Sequence, residues 1–372
     1  MSILSLPSVD HREALVALAL LRIGADTKTA RVVKEVCSSR RGPDPTGPGA
    51  FETVCAALDI PPTERAAKVA QAFRDARRAM DRTQAARQTM LTLADPTYPD
   101  LLRAIPDPPI VLWARGHPEM LNRAAVAIVG SRRASAAGVA MATRLGREVS
   151  RAGLGVVSGL ARGIDGAAHR GALEADDGWT IAVLGSGVDV VYPAEHRALT
   201  ETIATDGLLL SEFPPGTPPF PNHFPLRNRI ISGLSQAVVV VEASERSGSL
   251  ITARAALEQG RDVLAVPGPV AGGVHRGCHA LIKDGARLVE SVEDILEEIR
   301  WRRPAIPSSG GNVKGLPISE LEQVMGTGEV LTLDDLAVRS GRPASQLLAE
   351  LGRLELAGRI ARMAGGTFAR LD

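Results

Sequence analysis

Lysine is nearly missing from this chain: only five of its 43 basic residues are lysine, and the rest are arginine. Acidic residues number 42, so the formal charge is +1. A chain-wide positive field of the kind that draws proteins onto duplex DNA is therefore excluded. Any nucleic-acid contact must be a local patch built from arginine, whose planar guanidinium grips phosphate with two donors; a GC-rich genome would produce the same arginine bias. Cysteine is scarce too. Cys37, Cys55 and Cys278 lie far apart with no CxxC spacing, which points to neither a zinc site nor a disulfide framework. No apolar run approaches the ~20 residues that a membrane span needs, and the first residues lack a secretory pattern. The expectation is a cytoplasmic protein without membrane contact. HExxH, GxSxG and Walker A patterns are all missing, so no catalytic residue, metal or cofactor is expected.

At 372 residues the chain can hold one sizeable core and one or two small satellites. Residues 125 to 290 carry a succession of short apolar, β-branched runs separated by ten to fifteen residues of helical pattern. That alternation predicts an α/β fold: a Rossmann-like, mostly parallel sheet covered on both faces. Glycine, serine and arginine gather just after the runs, at the carboxyl ends of the strands, where open α/β sheets hold their ligands. Residues 8 to 90 read as a small helical domain, broken by Gly and Pro between Arg41 and Gly49. Within it, Leu20 to Thr29 is either a hairpin that touches a DNA backbone or part of a packing module. Residues 302–317 have the composition of a flexible linker. Beyond them the pattern predicts a winged helix: a helix over Leu333 to Ser340, a turn over Gly341 to Pro343, a second helix over Ser345 to Ala357, and two strands flanking Gly365 and Gly366. The second helix sets Glu350 and Glu355 against Arg353 and presents no basic face. A protein contact or a structural role suits it better than duplex reading, although Arg359, Arg362 and Arg370 leave a wing-to-phosphate contact open.

The first core turn reads Gly130, Ser131, Arg132, Arg133. It is not the GxGxxG of a dinucleotide site, and no acidic residue follows the second strand for a ribose. Ser131, the amides opening the next helix and Arg132 can instead hold a phosphate; the alternative is a structural turn with solvated arginines. Ser247, Gly248 and Ser249 open another helix on the same sheet edge, either as a second anion site or as an ordinary cap. Between the two turns fall Tyr192, Phe213, Phe220 and Phe224, in a chain that has only two tyrosines and six phenylalanines. Beside Arg227 and Arg229 such rings suit bases that stack while phosphates are gripped, or they plug the loop against the sheet. Arg162 and Arg254 are further basic candidates, although a structural ion pair suits each of them better when taken alone. Glu212 and Glu242, at strand ends, are read as capping or ion-pairing groups rather than as catalytic bases.

The ordered segments VGSRRAS, VSGLARGIDGAAHRGAL, TIAVLGSGVDVVYPAEH, LLSEFPPGTPP, FPLRNRIISGLS, VVVVEASERSGSLITAR and GCHALIKDGA, spanning about Tyr98 to Glu290, resemble the DNA-processing protein A family, DprA or Smf. The resemblance implies a protein that binds and protects single-stranded DNA during natural transformation and loads the RecA recombinase onto it. It implies that the Gly130–Ser131–Arg132 turn grips phosphate, and that a homodimer forms around residues 277–285, with His279 and Ile282 as candidates. It also implies a SAM-like helical domain over 1–92, the DNA-binding core over 93–301, the linker over 302–317 and the winged helix over 318–372. A rival is the related Rossmann phosphoribohydrolases, whose PGGxGTxxE-like segment opens a helix with a catalytic glutamate. Laid against SGSLITAR, that glutamate position falls on Arg254, which favours binding over hydrolysis. A third option is a regulator that reads duplex DNA through the winged helix.

Overall fold

The computed structural model describes residues 10–22, 48–301, 325, 330–343, 346–348, 350, 351, 354, 360–363 and 367–370. The chain divides into two compact units, Met1–Pro304 and Ala305–Asp372.

The first unit is built on a nine-stranded sheet: β1 (Thr89–Thr92), β2 (Val111–Gly116), β3 (Ala125–Val129), β4 (Gly155–Ser158), β5 (Thr180–Val183), β6 (Leu208–Ser211), β7 (Ala237–Val240), β8 (Asp262–Ala265) and β9 (Arg287–Leu288). Their spatial order is β1-β2-β6-β5-β4-β3-β7-β8-β9. From β6 to β9 every pair is parallel, and β2 pairs antiparallel with both β6 and β1. The expected Rossmann-like sheet is therefore present, and its strand order reverses between β3 and β7. Both faces are buried because successive side chains alternate across the sheet. In β3, Ala125, Ala127 and Val129 enter one apolar cluster while Val126 and Ile128 enter the other. Such strands read as continuous apolar runs, as the sequence shows.

Among the described residues, three helices precede the sheet, His11–Arg22, Pro48–Ala57 and Pro62–Ala85. Leu15, Leu18, Phe51 and Phe73 belong to the same apolar cluster as Trp113 and Leu112 of β2. The helical front and the sheet thus share one core, and β1 lies inside the segment 1–92 that the sequence reading set apart. Leu20 to Thr29, proposed as a hairpin, falls largely outside the described residues, as does the 302–317 linker.

In the second unit Val330–Thr332, Ile360–Met363 and Thr367–Arg370 form a three-stranded antiparallel sheet, with the last strand in the middle. The helix Leu333–Ser340 opens on a capping box, in which Thr332 Oγ1 accepts from the Asp335 amide and Asp335 accepts from the Thr332 amide. It ends at Gly341, whose φ of 67° only glycine adopts at low cost. Residues 346–348, 350, 351 and 354 are helical. This is the winged helix expected from the pattern. Among the described residues no helix is long and apolar enough to cross a membrane, and no group of His, Cys, Asp or Glu is placed to hold a metal ion.

Candidate nucleic-acid interface

A cleft of about 800 Å3 opens at the carboxyl ends of the strands, where the order reverses between β3 and β7. That position is where a doubly wound sheet leaves room for a ligand, because the connections leave β3 and β7 in opposite directions. Gly130, Ser131, Arg132 and Arg133 line it after β3, and Ser247, Gly248 and Ser249 after β7. Tyr192, Phe224 and Arg227 complete the set of predicted residues that the fold brings together.

The turn after β3 is tightly determined. A side chain at Gly130 would put its Cβ 2.6 Å from Ile164 Cγ1 and 2.9 Å from the Glu242 carbonyl oxygen, so this glycine is needed for strand–helix packing. The Ser131 amide donates to the Glu242 carbonyl at 2.7 Å, and the Ser131 carbonyl accepts from the Ile164 amide at 3.2 Å. Ser131 Oγ accepts from the Arg133 amide at 3.1 Å. The next helix, Ala136–Arg151, is capped by Ser135, whose Oγ accepts from the Gly138 amide. The Ser135 amide and hydroxyl in turn donate to the Glu242 carboxylate. Amides expected to hold an external phosphate are thus partly satisfied from within, which leaves the side chains of Arg132 and Arg133 exposed at this turn. Glu242, read from sequence as a capping acid, is one.

Arg132 projects over the Phe224 ring, its guanidinium carbon 5.2 Å from the centroid. Tyr192, 41 % exposed, packs on Phe224 at a centroid distance of 5.3 Å. Phe224 comes so close to Gly185 that a Cβ there would lie 2.9 Å from the ring. Phe213 does the plugging, buried and stacked on His223 at 3.9 Å, whereas Phe220 meets His223 edge-on and is itself exposed. The two readings of the aromatic cluster therefore divide between its members. Ser247 and Ser249 hydrogen-bond through their hydroxyls at 2.8 Å. One of the two hydroxyl protons remains to donate outward.

Four of the predicted arginines are placed differently from Arg132 and Arg133. Arg229 is engaged internally: it forms a two-pronged pair with Glu212 at 2.5 and 2.6 Å, and a further contact with the Asp107 carboxylate at 3.0 Å. Burial opposes its charge, but Glu212 outweighs that and holds the group above the ordinary arginine value. Arg227 does line the cleft yet is buried, donating to the carbonyls of Gly159 and Val183 and to Asn228 Oδ1. Burial lowers it to about 10, with Asp165 opposing the shift and Arg132 adding to it. It is a strut under the cleft floor rather than an outer grip. Arg162 is exposed and pairs through two nitrogens with Glu195. Arg254 lies exposed on the helix Ser249–Glu258 and does not line the cleft. Arg132 and Arg133 make no ion pair among the described residues, and both are exposed.

Among the lining residues that escaped the sequence reading are Asp165 and Asn228. Asp165 sits in the first turn of the helix Ile164–Leu173 and accepts from the Gly159 and Ala161 amides. Burial pushes its carboxyl above the usual range, against the pull of Arg227 and those amides. An acid just inside a helix start was the available signal. Asn228 simply follows Arg227, and nothing local marks it.

The proposed dimer residues stand apart from the cleft, on the helix Arg276–Lys283. His279 and Ile282 are both half-buried; His279 Nε2 contacts the Gly268 carbonyl at 3.0 Å, and Ile282 packs partly on the core.

A doubly wound sheet with an arginine- and aromatic-lined crevice at its reversal point defines a Rossmann-like protein with a candidate ligand site at that crevice. The family model of DNA recombination-mediator protein A matches residues 89–300, and that of the DprA winged helix domain matches residues 321–366. The chain is 43 % identical over 278 residues to Protein Smf of Escherichia coli K12, covering 72 % of this chain and 74 % of that one. It is 46 % identical over 210 residues to DNA processing protein DprA of Streptococcus pneumoniae, covering 56 % and 74 %. The solved S. pneumoniae DprA structure superposes with a TM-score of 0.64 at 35 % identity, over 78 % of this chain and 99 % of that one. DNA processing protein A of Helicobacter pylori, described structurally for its single-stranded DNA binding mode, superposes with a TM-score of 0.50 at 29 % identity, over 57 % and 95 %. This chain belongs to the DNA recombination-mediator protein A family.

Proposed function

We propose that the cleft binds single-stranded DNA, and that the chain acts in the cytoplasm as a non-enzymatic mediator that protects incoming strands during natural transformation and delivers them to a RecA-type recombinase. The observation that carries this reading is the meeting, in one cleft, of two exposed arginines that make no ion pair among the described residues, a hydroxyl-rich helix start and the packed rings of exposed Tyr192 and half-buried Phe224. Arg132 and Arg133 neutralise successive phosphates, Ser131, Ser247 and Ser249 donate hydrogen bonds, and Tyr192 or Phe224 stacks a base. Duplex binds worse, because its bases cannot leave the stack to reach a ring. Such contacts are indifferent to sequence and steeply salt-dependent. A homodimer through the face around His279 and Ile282 presents two clefts to one strand and adds avidity. The single-stranded DNA binding mode described for the H. pylori relative supports the same assignment.

The test is the affinity of labelled single and double strands across a salt series, for the full chain and for residues 1–304. The expected result is strand-selective, salt-sensitive binding that survives in the shorter chain. Equal affinity for duplex, or loss of binding on truncation, would move the site to the winged helix. Incubation with AMP is expected to release no free base, and clear turnover would replace this reading with the phosphoribohydrolase one.

A further inference from the structure

We propose that Glu242, which does not line the cleft, is the residue that positions Arg132 for the strand. This rests on the cleft being the single-stranded DNA site.

Glu242 follows β7 and is fully buried. Its backbone carbonyl takes the Ser131 amide at 2.7 Å. Its carboxylate takes the Ser135 amide at 3.2 and 3.1 Å and the Ser135 hydroxyl at 2.5 Å. Arg132 lies between these two serines, so both ends of its turn are fastened to one residue just beyond the neighbouring strand. Apart from the Phe224 ring and the Coulombic attraction of the buried Asp165 carboxyl, the Arg132 side chain has no partner among the described residues. The backbone that Glu242 holds therefore sets the point from which the guanidinium reaches out.

The surrounding sequence makes room for this arrangement. A Cβ on Gly130 would lie 2.9 Å from the Glu242 carbonyl oxygen, and one on Gly138 would lie 2.7 Å from Glu242 Oε2. Close approach on both sides of the turn thus requires glycine twice. A buried carboxylate is costly unless its lone pairs are filled, and here the donors come chiefly from the phosphate-gripping turn. His275 closes the far side, its Nε2 3.9 Å from Glu242 Oε2. A glutamine could still accept the Ser135 amide through its oxygen, but its NH2 group cannot accept a hydrogen bond. An alanine leaves both Ser135 donors without their acceptor.

The experiment is a double-mutant cycle on full-length protein, read by anisotropy of a labelled oligothymidylate over a salt series. Glu242→Ala is expected to weaken binding roughly tenfold, the scale of one charge-assisted contact. It should also reduce the salt slope by about one phosphate, as Arg132→Ala does. The double variant Glu242→Ala/Arg132→Ala should bind no more weakly than Arg132→Ala alone, and Glu242→Gln should fall between Glu242→Ala and the parent. Parental affinity in Glu242→Ala, or a double variant whose loss is the product of the single losses, would overturn the proposal while leaving the cleft in place. If Arg132→Ala itself binds like the parent, the cleft assignment fails instead. Should Glu242→Ala melt below the working temperature, Ser135→Ala enters the same cycle, with the same two outcomes.

Discussion

Arg227 occupies the space that a side chain at position 159 would need: a Cβ built on Gly159 falls 2.4 Å from Arg227 Nη2. The same guanidinium donates to the Gly159 carbonyl at 2.7 Å and to the Val183 carbonyl, tying together the ends of β4 and β5. Gly159→Ala is therefore expected to destabilise the first unit by about 1–3 kcal/mol, the usual cost of overpacking. Calorimetric melting checks it, and an unchanged transition would mean that Arg227 can move aside freely.

Arg132 and Arg229 should separate cleanly when each is replaced by alanine. Without Arg229, Glu212 and Asp107 lose the cation they face at the edge of the core. The cost should be roughly 3 kcal/mol, the lower end for breaking a buried pair, because some solvent contact remains. Urea titration is expected to show that loss, with strand affinity of the folded protein little changed. Arg132→Ala should do the reverse, lowering affinity by about 1–3 kcal/mol while stability stays within about 0.5 kcal/mol.

Acid should loosen the fold through His169. This ring is buried, its Nδ1 bonds Thr180 Oγ1 at 2.7 Å, and its Nε2 has no partner among the described residues. Thr180 gives its hydroxyl proton to the Val156 carbonyl, so Nδ1 is the donor and Nε2 stays bare. Burial lowers the folded-state value to about 3, with His196 adding to the shift. The unfolded chain takes up a proton near pH 6.5 and the folded one does not. The stabilisation is therefore complete above pH 6.5 and is lost as pH falls toward 3, at up to about 1.4 kcal/mol per unit. His169→Asn should flatten that part of the stability profile in chemical denaturation at several pH values.

Ile282→Glu places a charge on the helix Arg276–Lys283, at a half-buried position. Light scattering is expected to report monomers, and strand affinity should drop through lost avidity rather than through the cleft itself. A persisting dimer would assign the interface to a different face.

The buried strands were legible because each is apolar on both faces, a pattern that only a covered parallel sheet requires. The convergence of Arg132 with Ser247 and Ser249 was legible too, since strand ends of such a sheet share one edge. What the arginines face was not. Charge is visible in a sequence, but the carboxylates answering Arg229 sit 17 and 122 residues away, at Glu212 and Asp107, and the carbonyls answering Arg227 carry no signature at all. The helical front hid its attachment for a similar reason. Thr89–Thr92 is only four residues long and pairs with Val111–Gly116 across an intervening helix.

That short pairing decides how the protein can be cut. A fragment begun at residue 93 would lose the outermost strand, and with it the helices that share a core with Leu112 and Trp113. The strand Val111–Gly116 would then stand as a raw border of unanswered amides and carbonyls flanked by bare hydrocarbon, an invitation to self-association and precipitation.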